Sequence, residues 1–424
     1  MSESLTTDIR MYGCLHTIRK ERGLSSVAQV RIPEQGRTGR DLARELDLPL
    51  EKIEGVFIDH RVYGLDRLIP PGADVAFVPT GVPGPHRYML GIYAAGRTAG
   101  GSDQEHEAAA PSCRKASLDL DRLTCIDLDQ PSLEGFRRFI SSWLYRGEKF
   151  TLLVDPGPLS TIPHLVKEMR RLGVERLDHI LLTHIHIDHA GGTGALLREF
   201  PEAKVICHPE GIRHLVAPAK LWEGSRKVLG KLLTDVYGEI LPVPADKIGF
   251  QDIIGETGVR AFLTPGHAQH HLCFLLEDLL FAGEVAGVRS EVPEGIYMRP
   301  ATPPRFELEV ALDSLDRMIA LAPRTMVFAH HGLADDAADH LQIARRQLLL
   351  WVQGVAETAS ADESKREEAL FRWLLERDEI YGNIHQLPPD IHASERIFLG
   401  NTLRGMSEYV DSLPEKERHA LAGK

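Results

Sequence analysis

One ten-residue string, THIHIDHAGG at positions 183–192, restricts what this chain can become more than any other. It carries His184, His186, Asp188 and His189 in the order H-x-H-x-D-H. So many polar groups are costly to bury without partners, and imidazole is the commonest side-chain metal ligand. The string follows an apolar run, HILLT at 179–183, and precedes helical spacing at 193–200. It therefore stands at the carboxyl end of an expected strand, where functional groups gather in α/β folds. Side chains two apart in extended backbone point the same way, so His184 and His186 converge on one ion. Asp188 and His189 fall where the turn curls back and serve a second. Imidazole with carboxylate suits zinc, iron or manganese better than calcium or magnesium. The histidines cluster accordingly. Nine of the twenty lie between His179 and His271, where an even spread would place about four.

Three later segments repeat one design, an apolar run, a small residue and then a ligand-type side chain. They are TPGH ending at His267, FAGE ending at Glu284, and FAHHG containing His330 and His331. Gly266 is expected to turn the backbone so that His267 faces the cleft. Around these segments strand-like and helical runs alternate. Strands are expected at 150–154, 179–183, 204–207, 259–263, 271–276, 279–282 and 325–328, and helices at 160–172, 193–200, 219–237 and 311–321. That rhythm predicts a mixed α/β domain.

The motifs THIHIDHAGG, TPGH, FAGE and FAHHG, in this order, resemble the metallo-β-lactamase fold superfamily of metal-dependent hydrolases over residues 119–333. The resemblance implies an αββα sandwich with the site at one edge. It implies that His184, His186 and His267 bind one metal and that Asp188, His189 and His330 bind a second, with Glu284 bridging. The small-His-x-Gly pattern selects His330 over His331. Two divalent ions are implied, zinc first, with iron or manganese as alternatives. The chemistry implied is attack by a metal-bound hydroxide, oriented by Asp188, on an ester, thioester, lactone or similar bond of a small molecule. Glu284 departs from the family pattern, which usually has aspartate there. A mononuclear site of two histidines and one carboxylate would instead suit a non-haem iron persulfide dioxygenase.

Before this domain, residues 9–16, 28–33, 55–59 and 74–79 read as strands and 38–46 as a helix opened by Thr38, an α+β unit. Its order over 42–85, ending in PPGADVAFVPTGVPGP, resembles a β-grasp domain of the ubiquitin-like sulfur-carrier type. The chain continues past Gly84, so carrier chemistry on a free terminal diglycine is not supported. The expected organisation is a β-grasp domain at 1–94, a flexible glycine-rich linker at 95–117, the metallo-β-lactamase-like domain at 118–333 and a helical extension at 334–424. The extension reads as two or three helices without a chemistry-bearing motif. The segment 286–305, with four prolines, reads as a long irregular loop that shapes the substrate site, with Arg289, Tyr297 and Arg299 as its polar reach. His208 and His214 flank a loop at 209–211 that would roof the pocket. His270 and His271 read either as partners of the ligands or as a sheet-facing pair.

A net charge of −12 argues against a nucleic-acid partner, and with it the nuclease branch of the fold. Five scattered cysteines without a CxxC pair, a polar start and no apolar run of about 18 residues predict a cytoplasmic protein that does not engage a membrane. The β-grasp unit is the expected docking surface for any protein partner, and association into a homo-oligomer is left open. The non-enzymatic alternative is a β-grasp interaction protein with a vestigial metal site.

Overall fold

The computed structural model describes residues 6–11, 13–33, 35–58, 61–79, 118–359 and 363–423. The expected linker at 95–117 and residues 59–60 lie outside the described residues. Two compact units result, residues 1–113 and 114–424.

In the first unit a five-stranded sheet runs in the order Val27–Arg31, Thr6–Met11, Val75–Pro79, Ile53–Ile58, Arg61–Tyr63. The pair Thr6–Met11 with Val75–Pro79 is parallel and the other pairs are antiparallel. Alternate residues Ile9 and Met11, with Val56, Ile58, Val75 and Phe77, share one core with Leu15 and Leu42. Thr38 caps the helix Gly39–Glu45 by accepting from the Asp41 amide, as its position predicts. The expected strand at 9–16 stops at Met11. Residues from Gly13 form a second helix, Gly13–Glu21, whose Leu15 is buried in the core. An apolar run shorter than one strand and one helix combined does not separate the two periods.

The second unit is built on two mixed sheets. One has six strands in the order Ile248–Gly249, Lys204–Ile206, His179–Leu181, Thr151–Val154, Ser141–Arg146, Leu123–Asp127. The other has five, in the order Arg260–Leu263, Leu272–Leu276, Leu279–Gly283, Thr325–Phe328, Leu333–Ala334. The period-two rule assigns their faces. Leu152 and Val154 enter the core between the sheets, where Leu272, Phe274 and Leu276 meet them, while Leu153 turns to the outer helices. Cys273 and Leu275 face the opposite outer layer. Strands buried on both faces need continuous apolar runs, which is why HILL and LLFAG read as strands without alternation. The Trp143 indole N–H donates to the Phe328 carbonyl at 2.8 Å and the Ser141 amide to the Ala329 carbonyl at 2.8 Å, pinning the sheets together at the edge that carries the site.

Two regions depart from expectation. Residues 286–305 are irregular only outside 288–299, and 301–304 line a cavity: Val288–Val292 and Gly295–Arg299 pair as an antiparallel hairpin around Pro293-Glu294, with Gly295 at φ +114°. Proline in the turn and beyond the strand concealed the pattern. The extension, rather than two or three helices, forms Ala337–Thr358, Glu363–Arg377, Glu379–Gly382, Pro389–Ser412 and Glu415–Leu421 among the described residues. Trp351, Leu374, Leu399 and Met406 share one core with Phe328 and Leu315 of the sheet domain. Among the described residues no helix is long and apolar enough to cross a membrane.

The helix Pro389–Ser412 approaches the segment after the hairpin at backbone distance. A Cβ on Gly405 would lie 2.0 Å from the Thr302 carbonyl oxygen and 2.6 Å from that of Pro303. We predict that Gly405→Ala destabilises the protein by about 1–3 kcal/mol through overpacking, measured by urea unfolding. An unchanged midpoint would show that the helix moves away without cost.

Candidate metal centre and active-site cavity

Four strand ends of the second unit deliver the polar groups. His184 and His186 follow the strand His179–Leu181, and Asp188 and His189 lie in the single turn Ile187–Ala190. His267 follows Arg260–Leu263, Glu284 follows Leu279–Gly283, and His330 follows Thr325–Phe328. All seven come together. Their ligand atoms form two groups, His184, His186, His267 and Glu284 in one, Asp188, His189 and His330 in the other, each within 4.8 Å.

Glu284 sits at the centre. Its Oε2 lies 3.0 Å from His267 Nε2, 3.3 Å from His184 Nε2 and 3.4 Å from His189 Nε2, while Oε1 lies 3.5 Å from His330 Nε2. The longer arm of glutamate therefore reaches both groups. Asp188 Oδ2 is 3.5 Å from His189 Nε2 and 3.9 Å from His330 Nε2. Gly283 at φ +56° makes the bend, and a Cβ there would meet His271 Nε2 at 2.4 Å.

The far side of each ring explains the arrangement. Thr183 Oγ1 donates to Asp155 Oδ2 at 2.6 Å, so that hydroxyl accepts from His184 Nδ1 at 3.0 Å. His189 Nδ1 donates to the same Asp155 oxygen at 3.2 Å. His267 Nδ1 donates to the Ala301 carbonyl at 3.0 Å and His330 Nδ1 to the Phe139 carbonyl at 2.6 Å. With the proton fixed on Nδ1, each of these four rings turns an Nε2 lone pair inward. His184 Nε2 and His189 Nε2 are buried without a hydrogen-bond partner. Buried nitrogens aimed at one carboxylate, and left unbonded, fit divalent-metal ligation in a way that an ordinary polar cluster does not.

Electrostatics follow from this crowding. Burial and the neighbouring His189 and His186 rings hold His184 well below the usual histidine range. Burial and His267 push His186 down to about 3. Burial alone would raise Glu284, but the surrounding imidazoles, His267 and His330 foremost, outweigh it and hold the carboxyl well below its usual range. Burial opposes charge on His189, yet Asp188, Asp155 and Glu284 outweigh that and raise it. Neutral His184 and His186 beside an ionised Glu284 are in the protonation states that metal binding needs, while His189, held by carboxylates, would have to give up its proton to an ion.

Of the remaining expectations, His331 turns away at φ +59°, its Nδ1 3.9 Å from Asp127. His271 is fully buried, accepts the Glu284 amide on Nε2 at 3.0 Å and pairs through Nδ1 with Thr264 Oγ1 at 2.8 Å. It holds the Glu284 backbone. His270 lines the cavity and receives the Ile185 amide at 3.4 Å. Residues 209–211 are the first turn of the helix Pro209–Val216 rather than a roofing loop, with His208 as its cap, whereas His214 does line the cavity. Arg289 and Tyr297 point elsewhere, to His340 and Glu395.

Two contributors were not anticipated. Asp155, which the sequence motifs do not single out, also accepts the Thr183 amide at 2.8 Å; an acidic residue directly after an apolar strand is the available signal. The C-terminal extension is the other. A cavity of about 550 Å³ opens beside the cluster, and Phe398, Asn401, Thr402 and Arg404 of the helix Pro389–Ser412 form part of its wall. Phe398 stacks on Phe139 at 5.1 Å, and Phe139 lies 4.8 Å from the His330 ring. Glu395 pairs with the buried Arg299, and Thr402 Oγ1 donates to the Pro300 carbonyl at 3.2 Å. These contacts hold the backbone whose next carbonyl, Ala301, orients His267.

Comparison with known proteins matches residues 135–330 to the metallo-beta-lactamase superfamily. The metallo-beta-lactamase fold-containing protein ST1585 of Sulfurisphaera tokodaii is 34% identical over 207 residues, 47% of this chain and 75% of that protein. The hydroxyacylglutathione hydrolase of Aeromonas salmonicida is 29% identical over 45% of this chain and 59% of its own length. Among solved structures, the archaeal superfamily protein ST1585 from Sulfolobus tokodaii aligns over 68% of this chain and 98% of its own, at 28% identity and a TM-score of 0.49.

Two predictions follow from the hydrogen bonds. Asp155→Asn keeps the size but loses the charge that orients His184 and His189. It should weaken zinc affinity about 10–100-fold in chelator competition, and an unchanged affinity would remove Asp155 from that supporting role. His208 Nδ1 accepts the Glu210 amide at 3.2 Å, and burial pushes its pKa down to about 4. A folded pKa below the unfolded value of about 6.5 means the cap contributes fully above that pH and is lost as pH falls toward 4. His208→Asn caps without titrating, so its stability should fall less than wild type between pH 7 and pH 5; parallel curves would refute the assignment.

Proposed function

Because the chain belongs to the metallo-β-lactamase superfamily, we propose that its second unit is a metal-dependent hydrolase acting on an ester, thioester, lactone or similar bond of a small molecule. One observation carries this reading. Four imidazoles, each held at Nδ1 by an acceptor, aim Nε2 at the buried Glu284 beside an open cavity. His184, His186 and His267 would hold one divalent ion and Asp188, His189 and His330 a second, with Glu284 between them; zinc suits this donor set. When bound, such ions supply a water of lowered pKa and polarise the oxygen of the scissile bond.

The chain's own residues do the rest. Asp188 lines the cavity and offers a carboxylate oxygen to orient the attacking water and accept its proton. Glu284, kept ionised, supplies the negative charge that would offset the repulsion between two cations held by the two groups. The aromatic pair Phe139 and Phe398 excludes water from the His330 side and gives an apolar acyl group a surface to lie on. The name of the Aeromonas relative, a hydrolase of an acyl group carried on glutathione, supports thioesters within this class.

The reach of Glu284 to both groups favours two ions over the single iron of a persulfide dioxygenase. We infer further that the first unit is a β-grasp module, a reading supported by its parallel central pair and flanking antiparallel strands.

Protein purified without added metal is expected to carry about two zinc ions per chain and to release thiol from acyl thioesters. His184→Ala should lower that rate at least about 100-fold. One iron per chain with oxygen uptake on a persulfide would replace hydrolysis by the oxygenase. Unaltered turnover in the variant would refute both.

A further inference from the structure

The cavity's charge does not match the rest of the chain. The protein carries 61 acidic against 49 basic side chains, yet Asp188 and Glu284 are the only carboxylates lining the cavity among the described residues, and both belong to the cluster. Outside the cluster the lining brings Lys220, Lys227, Arg299 and Arg404. Arg299 is neutralised by Glu395. Lys220, Lys227 and Arg404 are exposed, and none of them makes an ion pair among the described residues. Three uncompensated cations thus face one cavity on an acidic protein.

Their spacing is specific. Lys220 and Lys227 lie seven residues apart on the helix Ala219–Tyr237, ahead of its break at Gly230. Seven residues are nearly two full turns, so both project from one face, about 10 Å apart along the axis. Between them Gly224 also lines the cavity, and a Cβ built there meets nothing within 4 Å. The glycine is not required by packing, and it leaves the space between the two ammonium groups open. Leu221 and Leu229 from the same helix line the cavity together with Phe139 and Phe398 and add apolar surface to it.

We propose that this cavity takes an amphiphilic substrate with an apolar body and at least two anionic groups about 10 Å apart, bound through Lys220 and Lys227. A single carboxylate would leave most of the positive charge unanswered, whereas a ligand bearing several phosphates or two separated carboxylates matches it. Arg404 closes the cationic rim from the C-terminal helix. This inference rests on the hydrolase reading for the position of the reacting bond, but the binding site itself does not depend on turnover.

Three thioethers that cannot be hydrolysed test it by calorimetry on the full chain: S-octyl-coenzyme A with phosphates, S-octylglutathione with carboxylates, and the uncharged S-octyl-N-acetylcysteamine. At least one charged ligand should bind about tenfold more tightly than the uncharged one, and Lys220→Met with Lys227→Met should erase that advantage while leaving the uncharged ligand within about twofold. Which charged ligand wins distinguishes phosphate from carboxylate. Equal binding of all three, or an advantage that survives the double substitution, would overturn the proposal. Hydrolysis of the matching octanoyl thioesters is read separately. Charged-ligand preference without turnover leaves the anion site standing and removes the hydrolase reading, while turnover without preference does the reverse.

Discussion

The centre depends on one carboxylate that touches no substrate. Asp155 directly follows its strand with φ at +53°, fully inside the protein, and accepts three hydrogen bonds from its surroundings. The Thr183 amide ties it to the start of the histidine motif, the Thr183 hydroxyl passes the constraint to His184, and His189 is held directly. A buried carboxylate is tolerable only when its oxygens are satisfied, and here satisfying them sets the proton positions of two rings at once. Without that constraint the two rings would be free to choose either tautomer, and His184 and His189 would lose the reason to present Nε2 lone pairs at the same point.

A second dependence runs outward to the C-terminal helices. Glu395 and Thr402 fix residues 299–300, the Ala301 carbonyl fixes His267, and Phe398 backs Phe139 behind His330. The carbonyl of Phe139 holds the His330 ring in turn. One helix therefore supports a ring in each half of the cluster through backbone carbonyls rather than through direct contact. Its docking is itself polar and specific: Arg137 forms a two-pronged pair with Asp390 at 2.8 and 2.9 Å, and Ser394 donates to the Gly135 carbonyl. The extension is better described as a third side of the site than as a cover on a finished domain.

What the sequence made legible has a physical reason. Ligand residues stand directly after apolar strands, so His184, His186, Asp188, His189, His267, Glu284 and His330 are readable from local pattern, and the structure brings these seven together. The small-His-x-Gly pattern points to His330 over His331, and the backbone accounts for it: His331 takes a positive φ, and Gly332 at φ +99° follows it. The supporting groups were not readable, because their roles depend on contacts far apart in sequence. Glu395 meets Arg299 across 96 positions, and Phe398 meets Phe139 across more than 250, with no spacing rule to announce either. The hairpin at 288–299 was hidden for a different reason, since its proline lies in the turn, where it interrupts no ladder bond. The expected strand at 9–16 ends early, with residues from 13 onward helical, because a short run satisfies both periods until its partners are known.

Charge shows the same separation between local and collective information. The net value of −12 says what the whole surface repels, and on that ground it weighs against a polyanionic polymer as partner. It says nothing of a cavity a few residues wide. Field lines concentrate in a cleft with low-dielectric walls, so Lys220, Lys227 and Arg404 act on a ligand at the mouth more strongly than distant surface carboxylates screened over about 10 Å. An acidic exterior and a basic mouth are therefore compatible, and together they are selective. A long nucleic acid meets the repulsive exterior along its whole length, whereas a small molecule with two anionic groups meets only the mouth. The same bias that disfavours the polymer leaves room for the compact anion.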